Sequence, residues 1–131
     1  MKVDASITSD VEALANRVIG AAIEVHKSVG PGLLESAYEK CLSHELTLRG
    51  ISHQCQLSVS ISYKDCLIEN AYRIDLLVEG ALVVELKAVD ELLPVHTAQV
   101  LTYLKFQQAR LGLLINFRAR TLKEGLKRIV L

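Results

Sequence analysis

Three charged residues lie inside stretches of the sequence that otherwise have the composition of buried β-strands. Glu85 and Lys87 stand in ALVVELKAV, and Asp75 stands between Ile74 and Leu76 in the stretch before it. Because residues two apart in a strand project from the same face, Glu85 and Lys87 share one face of the predicted sheet. If Asp75 reaches that face, two carboxylates meet there, and they repel each other unless a cation lies between them.

The turn between these two stretches decides which face Asp75 occupies. A two-residue turn would send its side chain to the face opposite Glu85. A three-residue loop over residues 78–80, with Gly80 in the left-handed conformation, places Asp75 across from Val83 and diagonal to Glu85. Glycine suits the third position of such a loop. We therefore predict the odd-length hairpin, with two carboxylates and an amine on one face.

The donors of this predicted site are hard oxygen atoms, which favour Mg²⁺ or Mn²⁺ over zinc. A cation held by Asp75 and Glu85 would polarise a phosphate and lower the pKa of the attacking water. Lys87 would lie beside it and hold or deprotonate that water. This layout is that of metal-assisted phosphodiester hydrolysis. The simpler alternative is an ion pair of Glu85 and Lys87 at a solvated sheet edge, because short motifs often occur by chance.

Two further places in the sequence carry polar groups at helical spacing. His96, Gln99 and Tyr103 form one stripe of the helix predicted after a proline, and this stripe could contact substrate or be only the solvated side of that helix. Glu35 lies in the first turn of the helix that follows Gly-Pro-Gly, where an acid stabilises the helix dipole without any further role. Tyr38, three residues later, fits a core position with its hydroxyl satisfied nearby.

The rest of the sequence supplies the elements that must hold these residues. Helical periodicity predicts one helix after Ser9, with Ser9 as N-cap and Glu12 as its capping-box partner, and another from about Leu33 that stops at Gly50. Three strands, a helix, a strand and a closing helix follow at residues 57–63, 66–78, 81–89, 95–109, 111–117 and 121–129. We therefore predict an α/β fold with a mixed four-stranded sheet, in which the helix at 95–109 forms the crossover to the fourth strand.

Length and composition fit a single domain over residues 1–131. Half of the 131 residues are hydrophobic, which is enough for a core without disulfides or metals to staple it. Fifteen basic residues balance fifteen acidic ones, so net charge identifies no nucleic-acid or membrane partner. The three cysteines, Cys41, Cys55 and Cys66, have the spacing of reduced, mostly buried thiols of a cytoplasmic protein, and no apolar run approaches the length of a membrane span.

Three motifs in this sequence resemble those of known nucleases. GLLESAY, residues 32–38, resembles the G-x-x-E-x-x-Y signature of the GxxExxY family. Asp75 followed by Glu85-Leu86-Lys87 resembles the D…(D/E)-x-K core of the PD-(D/E)XK nuclease superfamily, in which that family is placed. QVLTY, residues 99–103, resembles the Q-x-x-x-Y motif of RecB-type members. The resemblance implies the restriction-endonuclease-like core of that superfamily, whose order of helix, three-stranded meander, helix and strand agrees with the elements predicted above.

The resemblance also implies a role for each matched residue. Asp75 and Glu85 would ligate Mg²⁺ or Mn²⁺ together with the main-chain carbonyl of Leu86, and Lys87 would activate or position the water. Glu35 would complete the acidic cluster, directly or through a water. The same resemblance places Gln99 and Tyr103 on the substrate side of the site.

The sequence thus predicts a Mg²⁺-dependent nuclease that acts on nucleic acid, on DNA in preference to RNA. Because the chain carries no added targeting domain and no basic excess, a homodimer or a partner protein could supply specificity. The alternative is a catalytically silent module that keeps the nuclease fold to bind nucleic acid or protein. A third hypothesis is an enzyme that acts on a small phosphate ester.

Overall fold

A computed structural model describes residues 7–131 of the chain. Within this range the helices are α1 Ser9–Val29, α2 Glu35–Leu48, α3 Pro94–Gln107 and α4 Leu122–Gly125, and the strands are β1 His53–Tyr63, β2 Cys66–Val78, β3 Leu82–Lys87, β4 Leu111–Asn116 and β5 Leu126–Val130. The strands form one sheet in the order β1-β2-β3-β4-β5, parallel between β3 and β4 and antiparallel elsewhere. The α/β class is confirmed, whereas the predicted strand number is wrong: the sheet has five strands, not four.

The end of the chain accounts for this difference. Instead of a closing helix over 121–129, the short helix α4 ends at Gly125 and the chain continues as β5, which pairs with β4. A Cβ on Gly125 would lie 2.1 Å from the carbonyl oxygen of Asn116, so only glycine permits this close approach. Pairing with the open edge of β4 therefore overrides the helix propensity of the local sequence.

The ends of the first two helices differ slightly from the prediction. Thr8, rather than Ser9, is the N-cap of α1, and its hydroxyl accepts a hydrogen bond from the N–H of Val11 at 3.2 Å. Gly50 follows the C-cap residue Arg49 of α2 with a φ of 71°, which confirms it as the stop signal of that helix.

The sheet lies between two helical layers. One core cluster joins α1 and α2 to one face of the sheet through buried residues that include Val18, Leu42, Leu76, Val84 and Leu113. The other joins α3 to the opposite face through Leu77, Val83, Val100, Leu104 and Leu114. Both faces of the central strands are thus covered, which explains why β3 and β4 are almost continuously apolar.

The hairpin between β2 and β3 has the predicted odd length in a different register. Leu77 pairs with Val83, so the loop consists of residues 79–81, one position later than predicted. This register puts Asp75 and Glu85 one residue beyond the last pair, Leu76 with Val84, and thus opposite each other rather than diagonal. The predicted parity is therefore confirmed, and the predicted pairing partner of Asp75 is wrong.

The alternation of side chains along β2 is broken at Asp75. Ile74 and Leu77 belong to the core cluster under α3, whereas Leu76 belongs to the cluster under α1 and α2. In the neighbouring strand β1, Gln56 has the left-handed φ of 52°. Local distortion of both strands thus leaves Asp75 half-buried beside fully buried neighbours.

Two further predictions concern the burial of the cysteine thiols and the presence of membrane-spanning segments. Cys41 is half-buried, and Cys55 and Cys66 are exposed on the β1–β2 hairpin, so the prediction of mostly buried thiols is wrong. Within residues 7–131, no helix combines the length and the apolar character that crossing a membrane requires.

Candidate active site

Asp75 and Glu85 meet where the backbone pairing of β2 and β3 ends. The Glu85 Oε2 atom accepts a hydrogen bond from the N–H of Asp75 at 2.7 Å, and the Asp75 Oδ2 atom accepts one from the N–H of Leu86 at 2.9 Å. These reciprocal bonds fix the orientation of both carboxyl groups. The structure therefore brings together the two acids that the sequence singled out.

The Glu85 carboxyl is the most strongly perturbed acid of this site. Glu85 as a whole residue is only 5% exposed to solvent. Burial, and then the negative charge of Asp75, raises the pKa of Glu85 to about 8, against the opposing effects of the Asp75 N–H and the Lys87 ammonium. At neutral pH the Glu85 carboxyl therefore keeps its proton unless a cation approaches the pair and favours the ionised form.

Glu35 reaches the same site from the helical layer, at the first residue of α2. It lies close enough to Lys87 and Asp75 for their charges to act on its carboxyl. Burial raises the pKa of Glu35, the Lys87 ammonium counteracts this effect, and the charges of Asp75 and Glu39 add to it. The charges that act on Glu35 thus come from β2 and β3 as well as from its own helix.

Tyr38 anchors the Gly-Pro-Gly segment that leads to Glu35. Its hydroxyl donates a hydrogen bond to the carbonyl of Gly30 at 2.5 Å and accepts one from the N–H of Leu33 at 2.9 Å. The ring is fully buried and stacks on Phe117 with centroids 4.5 Å apart. One core side chain thus holds both ends of the segment, which fixes where α2 begins and where Glu35 lies.

Lys87 is the last residue of β3, and hydrogen bonds from residues at the end of β4 hold the backbone at Lys87 and just after it. Its carbonyl accepts a hydrogen bond from the N–H of Phe117 at 2.9 Å. The buried side chain of Asn116 then bonds both the N–H and the carbonyl of Val89, at 3.1 and 2.8 Å. The Lys87 ammonium lies close enough to Glu85 to lower the pKa of that carboxyl, so the amine and the acids share one site.

Two residues of the site, Gln56 and Glu39, were missed in the sequence. The Gln56 amide donates hydrogen bonds to Asp75 Oδ1 at 3.2 Å and to Glu39, and its oxygen accepts one from Arg73 at 3.3 Å. Glu39 had one signal, its four-residue spacing from Glu35, which puts both acids on one face of α2. No sequence pattern pointed to Gln56, because its left-handed backbone and its hydrogen-bond partners depend on the pairing of β1 with β2.

The side chains of α3 flank the acids in a neighbouring groove. Tyr103 stacks on Tyr72 with ring centroids 4.7 Å apart, and burial, together with the charges of the two strand carboxylates, raises the pKa of Tyr103. Gln99 is exposed and lines the same cavity as Tyr103. The third member of the predicted stripe, His96, instead caps α3 by accepting a hydrogen bond from the N–H of Leu93 at 3.0 Å.

The residues available to a cation form an open carboxylate pair. Among residues 7–131, no three His, Cys, Asp or Glu side chains are assembled as a ready metal cluster. Asp75 and Glu85 provide oxygen donors held by backbone hydrogen bonds, and the nearby Lys87 ammonium does not offset the raised pKa of the buried Glu85. Mg²⁺ is commonly bound in this way, by one or two carboxylates with the remaining positions left to water and substrate phosphate. The donor set therefore fits Mg²⁺ or Mn²⁺.

Comparison with known protein families agrees with this geometry. The family model described as the PD-(D/E)XK nuclease superfamily matches residues 12–129, a range that includes every site residue described above. Comparisons with curated proteins and with solved structures gave no significant match. The match extends over most of the chain and contains the strands that present Asp75, Glu85 and Lys87. The chain belongs to the PD-(D/E)XK nuclease superfamily.

Proposed function

We propose that this protein is a divalent-metal-dependent nuclease that hydrolyses phosphodiester bonds of DNA, and that residues 1–131 act as one domain. The observation that carries the proposal is the pair of opposed carboxylates, Asp75 and Glu85, with Lys87 and Glu35 acting electrostatically on the same site. Within the superfamily, the GLLESAY segment and the anchoring of its tyrosine support membership of the GxxExxY family.

In this proposal the acids hold the cation and the lysine handles the water. Asp75, Glu85 and the main-chain carbonyl of Leu86 would hold Mg²⁺ or Mn²⁺, with Glu35 as a further ligand directly or through a water. A bound divalent cation supplies positive charge that polarises the phosphate and lowers the pKa of water. Lys87 donates hydrogen bonds that position the attacking water beside the acids.

The helix α3 supplies the substrate side of the proposed site. Gln99 and Tyr103 lie on the wall of the groove next to the acids, where an amide and a phenol can orient a nucleic-acid strand. The chain carries equal numbers of basic and acidic residues, so long-range attraction contributes little to DNA binding. A second copy of the chain or a partner protein would then provide the specificity.

A cleavage assay tests the proposal directly. Linear duplex DNA, single-stranded DNA and RNA are each incubated with the protein in Mg²⁺, in Mn²⁺ and in EDTA. Lys87→Ala, and the matched variant Lys123→Ala at an exposed lysine of α4, are purified in parallel, since contaminating nucleases would be present in all three preparations. We expect cutting that needs metal, that persists in Lys123→Ala and that is lost in Lys87→Ala.

Two results would contradict the proposal. Cutting of equal rate in wild type and Lys87→Ala would point to a contaminant. If no substrate is cut above the Lys87→Ala level even at high protein concentration, the silent binding module becomes the better description.

A further inference from the structure

A groove beside the acidic pair is lined only by uncharged side chains. It lies between α3 and the β1–β2 hairpin and has a volume of about 340 Å³. Its walls are Ile61, Ala71, Tyr72, Ala98, Gln99, Thr102, Tyr103 and Phe106. A groove without a lysine or arginine does not attract phosphate by charge, whereas its apolar and aromatic walls with a few polar groups fit a flat, neutral ring system.

Three aromatic rings form one wall of this groove. Tyr72 stacks on Tyr103 with an interplanar angle of 8°, and Phe106 lies 6.0 Å from the Tyr72 ring centroid. The Tyr72 hydroxyl accepts a hydrogen bond from the amide of Gln107 at 3.0 Å, which fixes the ring. Phe106 is nevertheless 43% exposed. A rigid aromatic cluster with one exposed ring is the surface on which bases of single strands stack.

Tyr103 connects the groove to the acidic pair. Burial, and then the charges of Glu85 and Asp75, raises the pKa of Tyr103, so the groove that this side chain lines opens beside the two acids. Arg73 lies in a separate cavity on the other face of the sheet, where it bonds Gln56. A strand that places a base in the groove thus brings its backbone to the acids.

We infer that the groove binds an unstacked base of single-stranded DNA, and that Phe106 and Tyr72 are its stacking surface. Bases of a duplex are stacked on their neighbours and cannot enter a lateral groove unless they are flipped out. The groove therefore selects single strands, or ends that have opened, over intact duplex. This inference rests on the proposed function for the choice of DNA, but the binding itself does not depend on cleavage.

Binding in EDTA tests the inference separately from catalysis. The fluorescence anisotropy of labelled oligothymidylate is measured with wild type, Phe106→Ala, Phe106→Trp and Tyr63→Ala, the last removing an aromatic ring that is 59% exposed at the distal end of the hairpin. We expect Phe106→Ala to weaken binding roughly 5- to 150-fold, the range for loss of one base–aromatic stack, while Phe106→Trp and Tyr63→Ala bind like wild type. An oligomer that contains abasic sites should bind wild type as weakly as intact oligomer binds Phe106→Ala.

The arms of the experiment separate this inference from the proposed function. Base-dependent binding without any metal-dependent cutting would support the groove and contradict the nuclease. Equal affinity of wild type for intact and abasic oligomers would overturn the groove whatever the cleavage assay shows, and this measurement needs no variant to fold. Tighter binding of duplex DNA or of single-stranded RNA than of single-stranded DNA would also overturn the inference.

Discussion

The buried carboxyl of Glu85 shows how a single residue can serve a site at the expense of the fold. An acid placed among apolar strand residues keeps its proton, because ionisation there is opposed by burial and by the charge of Asp75. Only a cation at the site removes this penalty. The same feature that makes Glu85 a good candidate ligand therefore makes the metal-free protein sensitive to pH.

The first prediction concerns the pH dependence of stability in EDTA. A carboxyl whose pKa is raised in the folded state stabilises the fold most below its ordinary pKa, and this stabilisation is lost as pH rises through the folded-state value. For Glu85 the free energy of unfolding should fall between about pH 4.5 and pH 8. Denaturant unfolding of wild type and Glu85→Gln across this range should differ in slope, by at most about 5 kcal/mol in total. Parallel pH profiles for the two proteins would contradict the assignment.

The second prediction concerns the hydroxyl of Tyr38. Tyr38→Phe leaves the carbonyl of Gly30 and the N–H of Leu33 without this partner, so we expect a loss of about 1–3 kcal/mol in the free energy of unfolding. Tyr63→Phe removes an exposed hydroxyl and serves as the control. Urea unfolding of both variants measures the difference, and an equal effect of the two substitutions would show that the Tyr38 hydroxyl does not anchor the segment.

At the scale of elements, the site depends on how α3 packs against the sheet. Gly112 in β4 lies directly under this helix, and a Cβ at this position would come within 2.7 Å of Val100 Cγ1. Val100 is β-branched and buried, so it cannot turn aside easily. The absence of a side chain at Gly112 thus sets the distance between α3 and β4, and with it the position of Gln99 and Tyr103.

The third prediction follows from this contact. Gly112→Ala should push α3 outward and lower the free energy of unfolding by about 1–3 kcal/mol, as overpacking of a core does. Gly32→Ala is the control, because a Cβ there meets no atom within 4 Å and its φ is not left-handed. Urea unfolding gives the stability, and near-ultraviolet circular dichroism reports the Tyr72–Tyr103 stack. A stable Gly112→Ala protein with an unchanged spectrum would show that α3 tolerates the added methyl group.

At the scale of the whole molecule, the acidic cluster joins parts of the chain that are far apart in sequence. Glu35 and Glu39 come from α2, Asp75 from β2 and Glu85 from β3. Burial and neighbouring negative charges raise the pKa of Glu35 and of Glu85, so ionisation of these two carboxyls opposes folding in the absence of a cation. A divalent ion at the cluster would therefore stabilise the whole fold and not only the site.

The fourth prediction is a metal-dependent thermal shift. At a Mn²⁺ concentration of 100 times Kd, wild type should gain about 2.7 kcal/mol, which raises the Tm by roughly 10 °C for a chain of this size. Asp75→Asn should lose most of this shift. Asp65→Asn, in the exposed turn between β1 and β2, is the matched control and should keep it. Equal shifts in all three proteins would show that Mn²⁺ binds elsewhere.

The sequence by itself determined the order of the elements up to β4 and the odd length of the hairpin. These features follow from local periodicity: apolar residues recur at helical or strand spacing, and Gly80 marks the turn. The same local reading brought Asp75, Glu85 and Lys87 together as candidates, since charges inside an apolar strand stand out without any knowledge of their neighbours.

Only the tertiary structure decided the rest. Residues 126–130 became a strand because β4 offered an unpaired edge, which no local pattern reports. The direct opposition of Asp75 and Glu85, the entry of Gln56 and Glu39 into the site and the stacking of Tyr72 on Tyr103 all depend on register and packing between distant segments. Free energies of pairing and burial are set by the partner as much as by the residue itself, so the sequence could name the acids but not the groups that surround them.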